Sequence, residues 1–329
     1  MQTQALLAHW KPGHIHADAR DPLLTAALPV AVGIDDAVAA MALLEPFGLE
    51  DLAADAVADF LALIPQYGVS WTLQCLQGWE ATRGPQASRY VPERAWHWVV
   101  NTLPSLVRHT ADSNSAEAID LIRPVIDTYW VALNQDLARI RDTAGQASSI
   151  GEQQKLAPAM LVLLDAAHAL HGADREQAMM ATLQSGAYRL PFLLGILHAA
   201  SEAPAWRRLS PLRTWCTDLL TRLLDTPTRA PGDWSISAPG DFPEAAAPIF
   251  REFLRSSQQQ SLTWPLAKAG RDSIQAWIRH HGLPIRCSVL KTGSPHKLVL
   301  EKTRNLFVQA TRERQAMVQE LAWLRSHAD

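Results

Sequence analysis

Apolar residues along this chain recur with the spacing of amphipathic helices over most of its length. In residues 43–60 they return every three or four positions, which would form one stripe along a helix. This stripe consists of Leu44, Phe47, Leu49, Leu52, Ala56 and Phe60. The same spacing predicts further helices over residues 69–79, 91–109, 115–141, 152–171, 174–183, 190–201, 209–224, 244–256, 268–281 and 304–326. Pro124 lies inside one of these runs and predicts a kink or a break there.

The predicted helices follow one another in pairs, joined by short loops. Between residues 35 and 225 a pair recurs about every 40 residues, a spacing typical of HEAT or armadillo repeats. No repeated residue signature accompanies the spacing. The predicted fold class is therefore all-α, as an α-solenoid of HEAT-like type or an irregular helical bundle, with one β-hairpin near the C-terminus.

The hairpin is predicted because the pattern changes after residue 283. Residues 284–291 and 297–302 are short runs rich in β-branched and apolar side chains, and they flank Thr292-Gly293-Ser294-Pro295. Two such runs around a glycine and proline turn are typical of a β-hairpin. The stretch 226–243 holds four prolines and two glycines and predicts a boundary. We therefore expect a helical body over 1–230 and a C-terminal subdomain over 241–329, with the hairpin at about 284–303.

Composition narrows the class of protein. Of the 329 residues 48% are apolar, and the three cysteines, Cys75, Cys216 and Cys287, lie far apart. Such a chain needs no disulfide framework to build a core, and the cysteine usage fits a reducing compartment. No apolar run reaches the length of a membrane-spanning helix, and the first residues lack the pattern of a signal peptide. The expectation is a cytoplasmic protein that does not bind membranes.

The charge is unevenly distributed, although the whole chain carries only −3. Residues 251–329 hold 13 Lys and Arg against 6 Asp and Glu, a net charge of +7. Residues 1–250 hold 17 against 27, a net charge of −10. A basic segment of this kind predicts an acidic partner, either a protein or a nucleic acid. The alternative is that the two parts neutralise one another.

The candidate binding residues lie in and around the predicted hairpin, where several basic side chains would face one side and meet phosphates or an acidic protein. An exposed tryptophan near a proline would add an aromatic anchor. These residues are Trp264, Arg286, Lys291, His296, Lys297, Lys302 and Arg304. A continuous basic stripe through Lys291, Lys297, Lys302 and Arg304 would favour nucleic acid over protein.

Two patterns suggest metal chemistry, and both are short. His14-Ile15-His16-Ala17-Asp18 contains the H-x-D triplet of iron(II) oxygenases, and Arg286-Cys287-Ser288 has the form of their co-substrate motif. That chemistry needs a fold of many strands, whereas the intervening sequence is helical. Asp165, His168 and His171 share a helix face, but their position near a helix end favours capping over a metal. No nucleophile motif or phosphate-binding loop is present, and we expect no cofactor or metal.

Residues 249–307 carry a resemblance to a known family. They contain Phe253-Leu254, a glutamine-rich stretch, Trp264-Pro265, a basic helix and Gly293-Ser294-Pro295-His296. This segment resembles the C-terminal helical accessory region of large, mostly fungal proteins identified as 2-oxoglutarate/iron(II) oxygenases. A Cys-x-x-Cys pair that often precedes the Phe-Leu helix in that family is missing here, and so is the oxygenase domain. The resemblance therefore implies an accessory module and transfers no catalytic residue.

Three functions follow from the sequence. The first is a non-catalytic helical-repeat module that binds a protein partner as a scaffold. The second is a nucleic-acid-associated protein that binds through the basic hairpin and the last helix. The third is a metal-dependent enzyme of the 2-oxoglutarate/iron type, which the absence of the required strands disfavours.

Overall fold

The computed structural model describes residues 17–81, 92–143, 146–237, 247–293 and 295–327. Over these residues the chain is mostly helical, with a small antiparallel sheet near the C-terminus, which confirms the predicted fold class. None of the described helices combines the length and the apolar character needed to cross a membrane.

The described residues form the following α-helices in chain order. They are α1 (Ala17–Gly33), α2 (Ala37–Leu44), α3 (Val57–Tyr67), α4 (Val69–Ala81), α5 (Pro92–Asn101), α6 (Leu103–Asp112), α7 (Ala116–Thr143), α8 (Gln146–Lys155), α9 (Ala157–His171), α10 (Ala173–Leu183), α11 (Leu190–Ala200), α12 (Ala205–Arg208), α13 (Ser210–Asp225), α14 (Ala247–Arg255), α15 (Lys268–His280) and α16 (Asn305–Ser326). Leu49–Asp51 forms a short 3-10 helix.

The chain divides into two compact units. The first comprises the described parts of Met1–Ala138, Lys155–Tyr188 and His198–Ala205. The second comprises the described parts of Arg139–Gln154, Arg189–Leu197 and Trp206–Asp329. Residues 226–237 form the predicted loop and belong to the second unit.

The apolar stripe of residues 43–60 is buried, but it does not belong to one helix. All six of its side chains are almost fully buried, as predicted. The chain leaves the helix after Leu44, makes the 3-10 turn and starts a new helix at Val57. Pro46 and Gly48 explain the break, since neither favours a helix interior. The Asp51 carboxylate fixes the turn by accepting a hydrogen bond from the Gly48 backbone N–H at 2.7 Å.

Two tryptophans hold this non-helical segment in the core of the first unit. Trp79 Nε1 donates to the Leu44 carbonyl at 2.8 Å, and Trp98 Nε1 donates to the Leu52 carbonyl at 3.0 Å. Both rings are buried, and Trp98 stacks on Tyr129. Each indole therefore fills the core with its ring and satisfies a carbonyl that no helix bonds.

Helix α9 is the most buried helix of the first unit. It packs against α5, α6 and α10, and nine of its fifteen residues are buried. It begins after Leu156, so the predicted helix over 152–171 is divided into α8 and α9. The run 91–109 is divided in the same way at Thr102. Proline at the second position of each new helix explains both divisions, because proline suits a first turn.

Prolines at other positions lie inside helices that continue past them. Pro124 does not end α7, which runs unbroken over 28 residues. Residues 17–33 form α1 although Pro22 and Pro29 lie inside it, and the apolar spacing did not predict this helix.

The second unit contains a three-stranded antiparallel sheet in the order β1-β3-β2. Its strands are β1 (Ser261–Pro265), β2 (Ile285–Leu290) and β3 (Lys297–Lys302). Strands β2 and β3 form the predicted hairpin. Strand β1 was not predicted, and it pairs with the other side of β3.

One face of this sheet packs on helices and forms a separate core cluster. Leu298 and Leu300 of β3 are fully buried there, together with residues of α14, α15 and α16. The helical contributions are Phe250, Phe253 and Leu254 from α14, Ile274 and Ile278 from α15 and Leu306 from α16. We call this side of the sheet the core face and the opposite side the outer face.

Two leucines of the hairpin test this assignment. Leu298→Ala should lower the free energy of unfolding by about 2–5 kcal/mol, because it leaves a cavity in the core cluster. Leu290→Ala is the matched control, since Leu290 is 45% exposed and its loss should cost less than about 0.5 kcal/mol. Urea unfolding followed by tryptophan fluorescence measures both. Equal losses for the two variants would contradict the assigned faces.

Candidate functional site

Strand alternation separates the predicted binding residues onto two faces of the sheet. In β3 the side chains of Leu298, Leu300 and Lys302 lie on the core face, so Lys297 and Glu301 lie on the outer face. The register places Arg286 opposite Glu301 and Leu290 opposite Lys297. Arg286 and Lys297 therefore share the outer face, and Lys302 does not.

Lys302 is a core residue, although it was predicted to bind a partner. Its side chain is buried, and its Nζ donates to the carbonyls of Ser256 at 2.8 Å and Leu254 at 3.3 Å. The ammonium also lies 4.6 Å from the centre of the Phe253 ring. Burial lowers the pKa of Lys302 to about 8, and the nearby Asp233 carboxylate opposes this shift. The predicted basic stripe is thus interrupted at this residue.

Arg286 and Lys297 meet different surroundings on the outer face. The Arg286 side chain is 73% exposed, and its guanidinium lies 3.6 Å from the Glu301 carboxylate across the strands. So exposed a pair contributes little to stability, because water and salt screen it. Lys297 is half-buried at the start of the central strand. Both cations therefore remain accessible at the surface of the sheet.

The end of the hairpin presents apolar and basic side chains together. We call residues 289–297, without Ser294, the hairpin tip. Val289 is 37% exposed and Leu290 is 45% exposed, and the Lys291 side chain that follows is exposed as well. Gly293 makes the turn with a φ of 80°, a conformation that glycine adopts at little cost. Strand alternation places Leu290 on the outer face and Val289 on the core face, so each face of the hairpin end carries one exposed aliphatic side chain.

His296 anchors the hairpin tip through its backbone. Its carbonyl accepts hydrogen bonds from the Leu266 N–H at 3.3 Å and from the buried Arg271 guanidinium at 3.3 Å. Arg271 also donates to the Leu266 carbonyl. The His296 ring stays exposed, with Nδ1 3.1 Å from the Gly293 carbonyl. The tip is therefore held in one place while its side chains face solvent.

The remaining two predicted residues, Arg304 and Trp264, lie in different surroundings. Arg304 is exposed and precedes the first residue of α16. Trp264 is only half-buried, but it lies in β1 opposite Leu298 and packs against the core cluster. It is therefore part of the support of the sheet, and the structure does not place it beside the hairpin tip residues on the outer face.

Several basic residues of the C-terminal region bond to backbone carbonyls of the same unit. Arg271 and Lys302 do so in the core cluster. Arg314 of α16 donates to the carbonyls of Leu224 at 2.7 Å and Thr226 at 3.1 Å, near the end of α13. Cations suit a helix C-terminus, because its carbonyls are not bonded within the helix. Part of the positive charge of residues 251–329 is thus used in folding.

The suggested metal residues do not form a described site. His14 and His16 lie outside the described residues, and so does the side chain of Asp18. His168 Nδ1 lies 2.7 Å from the Glu176 carboxylate, and His171 Nε2 lies 3.4 Å from the Arg123 carbonyl. Within the described ranges, no group of three or more His, Cys, Asp or Glu is placed to hold a metal ion.

The cysteines differ in their surroundings. Cys75 and Cys216 are buried, and burial raises the pKa of each thiol to about 12. A thiol of this kind is not a nucleophile at neutral pH. Cys287 is half-buried on the core face of β2, and burial also raises its pKa, although the nearby Arg279 guanidinium opposes the shift.

Sequence reasoning missed the exposed aliphatic pair Val289 and Leu290 as part of the site. It treated residues 284–291 as a strand and considered only its charges. The run Ser288-Val289-Leu290 at the end of the predicted strand was the available signal, because an outer strand of a sheet has one uncovered edge. That β2 is an outer strand follows from the structure, in which β1 pairs with the other side of β3.

Comparisons with known proteins give no relative. No protein-family model, no curated protein and no solved structure matches this chain.

The buried ammonium of Lys302 predicts a dependence of stability on pH. The folded chain holds this proton with a pKa of about 8, whereas an unfolded lysine has a pKa of about 10.4. Between these values the unfolded state binds more protons, so the contribution of Lys302 to stability rises with pH. The free energy of unfolding of the wild type should therefore rise relative to Lys302→Met between pH 8 and pH 10, by about 1–3 kcal/mol.

Urea unfolding at intervals of pH measures this difference. Leu300→Met is the control, because it changes the same buried face without adding or removing a charge, and its curve should run parallel to that of the wild type. A Lys302→Met curve that is also parallel to the wild type would contradict the prediction.

Proposed function

We propose that this chain is a non-catalytic helical interaction module that binds a protein partner through the hairpin tip. The observation that carries the proposal is the exposed pair Val289 and Leu290 beside Lys291, at the end of a hairpin that is anchored by Arg271. Protein interfaces combine an apolar centre with a polar or charged rim. On the outer face Leu290 lies opposite Lys297 and shares the face with Arg286, which is this arrangement at small scale.

The charges at the tip select the class of partner. Lys291 and Lys297 at the tip are exposed and half-buried, and Arg286 on the same strand pair is exposed and pairs with Glu301. A partner with acidic side chains around an apolar patch complements this surface. Complementary charge raises the rate of association and excludes basic partners.

Nucleic acid is the second candidate, and the arrangement of the basic residues supports it less. A phosphate backbone is best bound by a series of exposed cations. Lys302 is buried in the core face, so the predicted stripe from Lys291 to Arg304 has a gap. The aliphatic tip also adds nothing to phosphate binding. Binding of nucleic acid is therefore the alternative outcome of the crosslinking experiment.

The cellular compartment and an enzyme partner of the module are part of the same proposal. The cysteine usage and the unreactive buried thiols are compatible with a reducing compartment, and we propose the cytoplasm. The resemblance of residues 249–307 to an oxygenase accessory region would give the module an enzyme partner, and this too is a proposal. An iron-dependent activity of the chain itself is the least supported of the three functions.

Photo-crosslinking tests the proposed contact surface. A benzoyl-phenylalanine placed at Leu290 in native cells should give one crosslinked protein product, because this side chain faces the partner. The same group at Val38, which is 79% exposed in the first unit, should give none. The double substitution Lys291→Glu and Lys297→Glu should reduce the Leu290 product at least fivefold.

Three results would contradict the proposal. Equal products from positions 290 and 38 would show that exposure alone determines the crosslink. A product that nuclease treatment removes would assign the tip to nucleic acid. No product from position 290 would leave the tip without a partner.

A further inference from the structure

Strand β2 has an open edge, and the hydrogen bonds of β3 show which groups lie on it. Thr303 N donates to the Pro284 carbonyl, whereas Lys302 N donates to the Gln260 carbonyl beside β1. In an antiparallel ladder these directions alternate along the strand. Residues 297, 299 and 301 of β3 therefore bond to β2, through its residues 286, 288 and 290. It follows that the backbone N–H and C=O groups of Cys287 and Val289 point away from β3.

These backbone groups have no neighbouring strand among the described residues, since β2 is an outer strand of the sheet. The side chains of Ser288, Val289 and Leu290 are exposed, so the edge is reachable from solvent along this half of the strand. An accessible edge of this kind is a template for an added strand.

The two edges of the sheet are not equivalent. The outer side of β1 ends at Pro265, which has no N–H to offer to a further strand. Proline on an edge strand is a common protection against unwanted pairing with another strand. The exposed half of β2 contains no proline, and its residues Cys287 to Leu290 carry no charge. Among the described residues, the edge of β2 is therefore the less protected of the two.

Cations surround the open edge and indicate what fits it. Arg286 lies within β2, and Lys291 follows it directly. Arg279 of α15 is exposed and lies close enough to Cys287 to act on its thiol. A second copy of β2 would bring a second Arg286 and Lys291 and so add positive charge to the same edge, whereas an acidic strand would neutralise the charge already there. The charge therefore favours an acidic strand over a copy of this chain.

We propose that an extended acidic segment of a protein partner adds to the sheet as a fourth strand along the open edge of β2. The proposal rests on the proposed function and specifies how the partner binds. The partner backbone would bond to the outward N–H and C=O groups of Cys287 and Val289. Its alternate side chains would meet Leu290 on the outer face and Val289 on the core face, with carboxylates near Arg279, Arg286 and Lys291.

The substitution Val289→Pro tests the mode of binding. It removes an outward N–H and places a ring on the edge, and it leaves every bond between β2 and β3 in place. Val289→Thr is the matched control, because it keeps the N–H and the branched shape. The circular dichroism spectrum and the melting temperature of each purified full chain establish that it is folded.

The probe is a phage-displayed library of random twelve-residue peptides, selected on the immobilised wild-type chain. We expect enriched sequences that alternate β-branched residues with Asp or Glu. Synthetic copies of them should bind wild type and Val289→Thr with the same Kd, and Val289→Pro at least tenfold more weakly. Isotope-edited infrared spectra should show the bound peptide as a β-strand.

A second variant covers the case in which Val289→Pro does not fold. The double substitution Arg279→Glu and Lys291→Glu leaves the edge backbone unchanged and reverses the charge around it. Selection on this chain should enrich basic in place of acidic peptides.

Several results would overturn the added strand. They are the absence of any enriched sequence, equal binding of the peptides by Val289→Pro and Val289→Thr, and a helical bound peptide. Gel filtration that shows a dimer of the wild type and a monomer of Val289→Pro would assign the edge to a second copy.

The crosslink at Leu290 distinguishes this proposal from the proposed function. A product that persists in Val289→Pro would keep the partner at the hairpin tip and exclude an added strand. The absence of the product from the otherwise wild-type chain would overturn both.

Discussion

The pairing of β3 with strands on both of its sides is the constraint on which the candidate site depends. Its residues bond alternately to β1 and to β2, so the same strand fixes the position of both edges. Its side chains alternate as well, and Leu298 and Leu300 bury one face of the sheet against α14, α15 and α16. Because the period of a strand is two, this burial determines which residues reach solvent. The exposure of Arg286 and Leu290 follows from the burial of the leucines.

Lys302 shows how this constraint acts on charge. The alternation that buries the two leucines also turns this lysine inward, where carbonyls of Leu254 and Ser256 accept from its ammonium. Arg271 and Arg314 likewise bond to carbonyls that the regular elements leave without a partner. A count of Lys and Arg in residues 251–329 therefore overstates the charge that a partner meets. Exposed cations remain on the hairpin, at Arg286 and Lys291, and also elsewhere in the region, at Arg255, Lys268, Arg279, Arg304, Arg312 and Arg325.

Local pattern predicted the hairpin and most helices, because these features depend on neighbouring residues. The β-branched runs around Gly293 predicted β2 and β3. The apolar stripe of residues 43–60 correctly predicted which side chains are buried. Features that depend on distant residues were missed or wrong. Strand β1 pairs with the distant strand β3, with Trp264 opposite Leu298. Its Pro265, taken with neighbouring residues alone, is more typical of a loop. The stripe was assigned to one helix although Pro46 and Gly48 lie inside it and signal a break. The indoles of Trp79 and Trp98, which bond to the non-helical segment, come from later in the chain.

The two edges of the sheet give the strongest physical reason to assign a role to this region. Unpaired edges favour aggregation, and proteins commonly protect them with proline, charge or cover. Pro265 removes one backbone donor from the edge of β1. At the edge of β2 the backbone groups of Cys287 and Val289 have no neighbouring strand among the described residues, and two aliphatic side chains are exposed. Arg279, Arg286 and Lys291 lie around that edge and give it positive charge. This charge is the reason we propose an acidic strand, and not a second copy of this chain, as the partner of the edge.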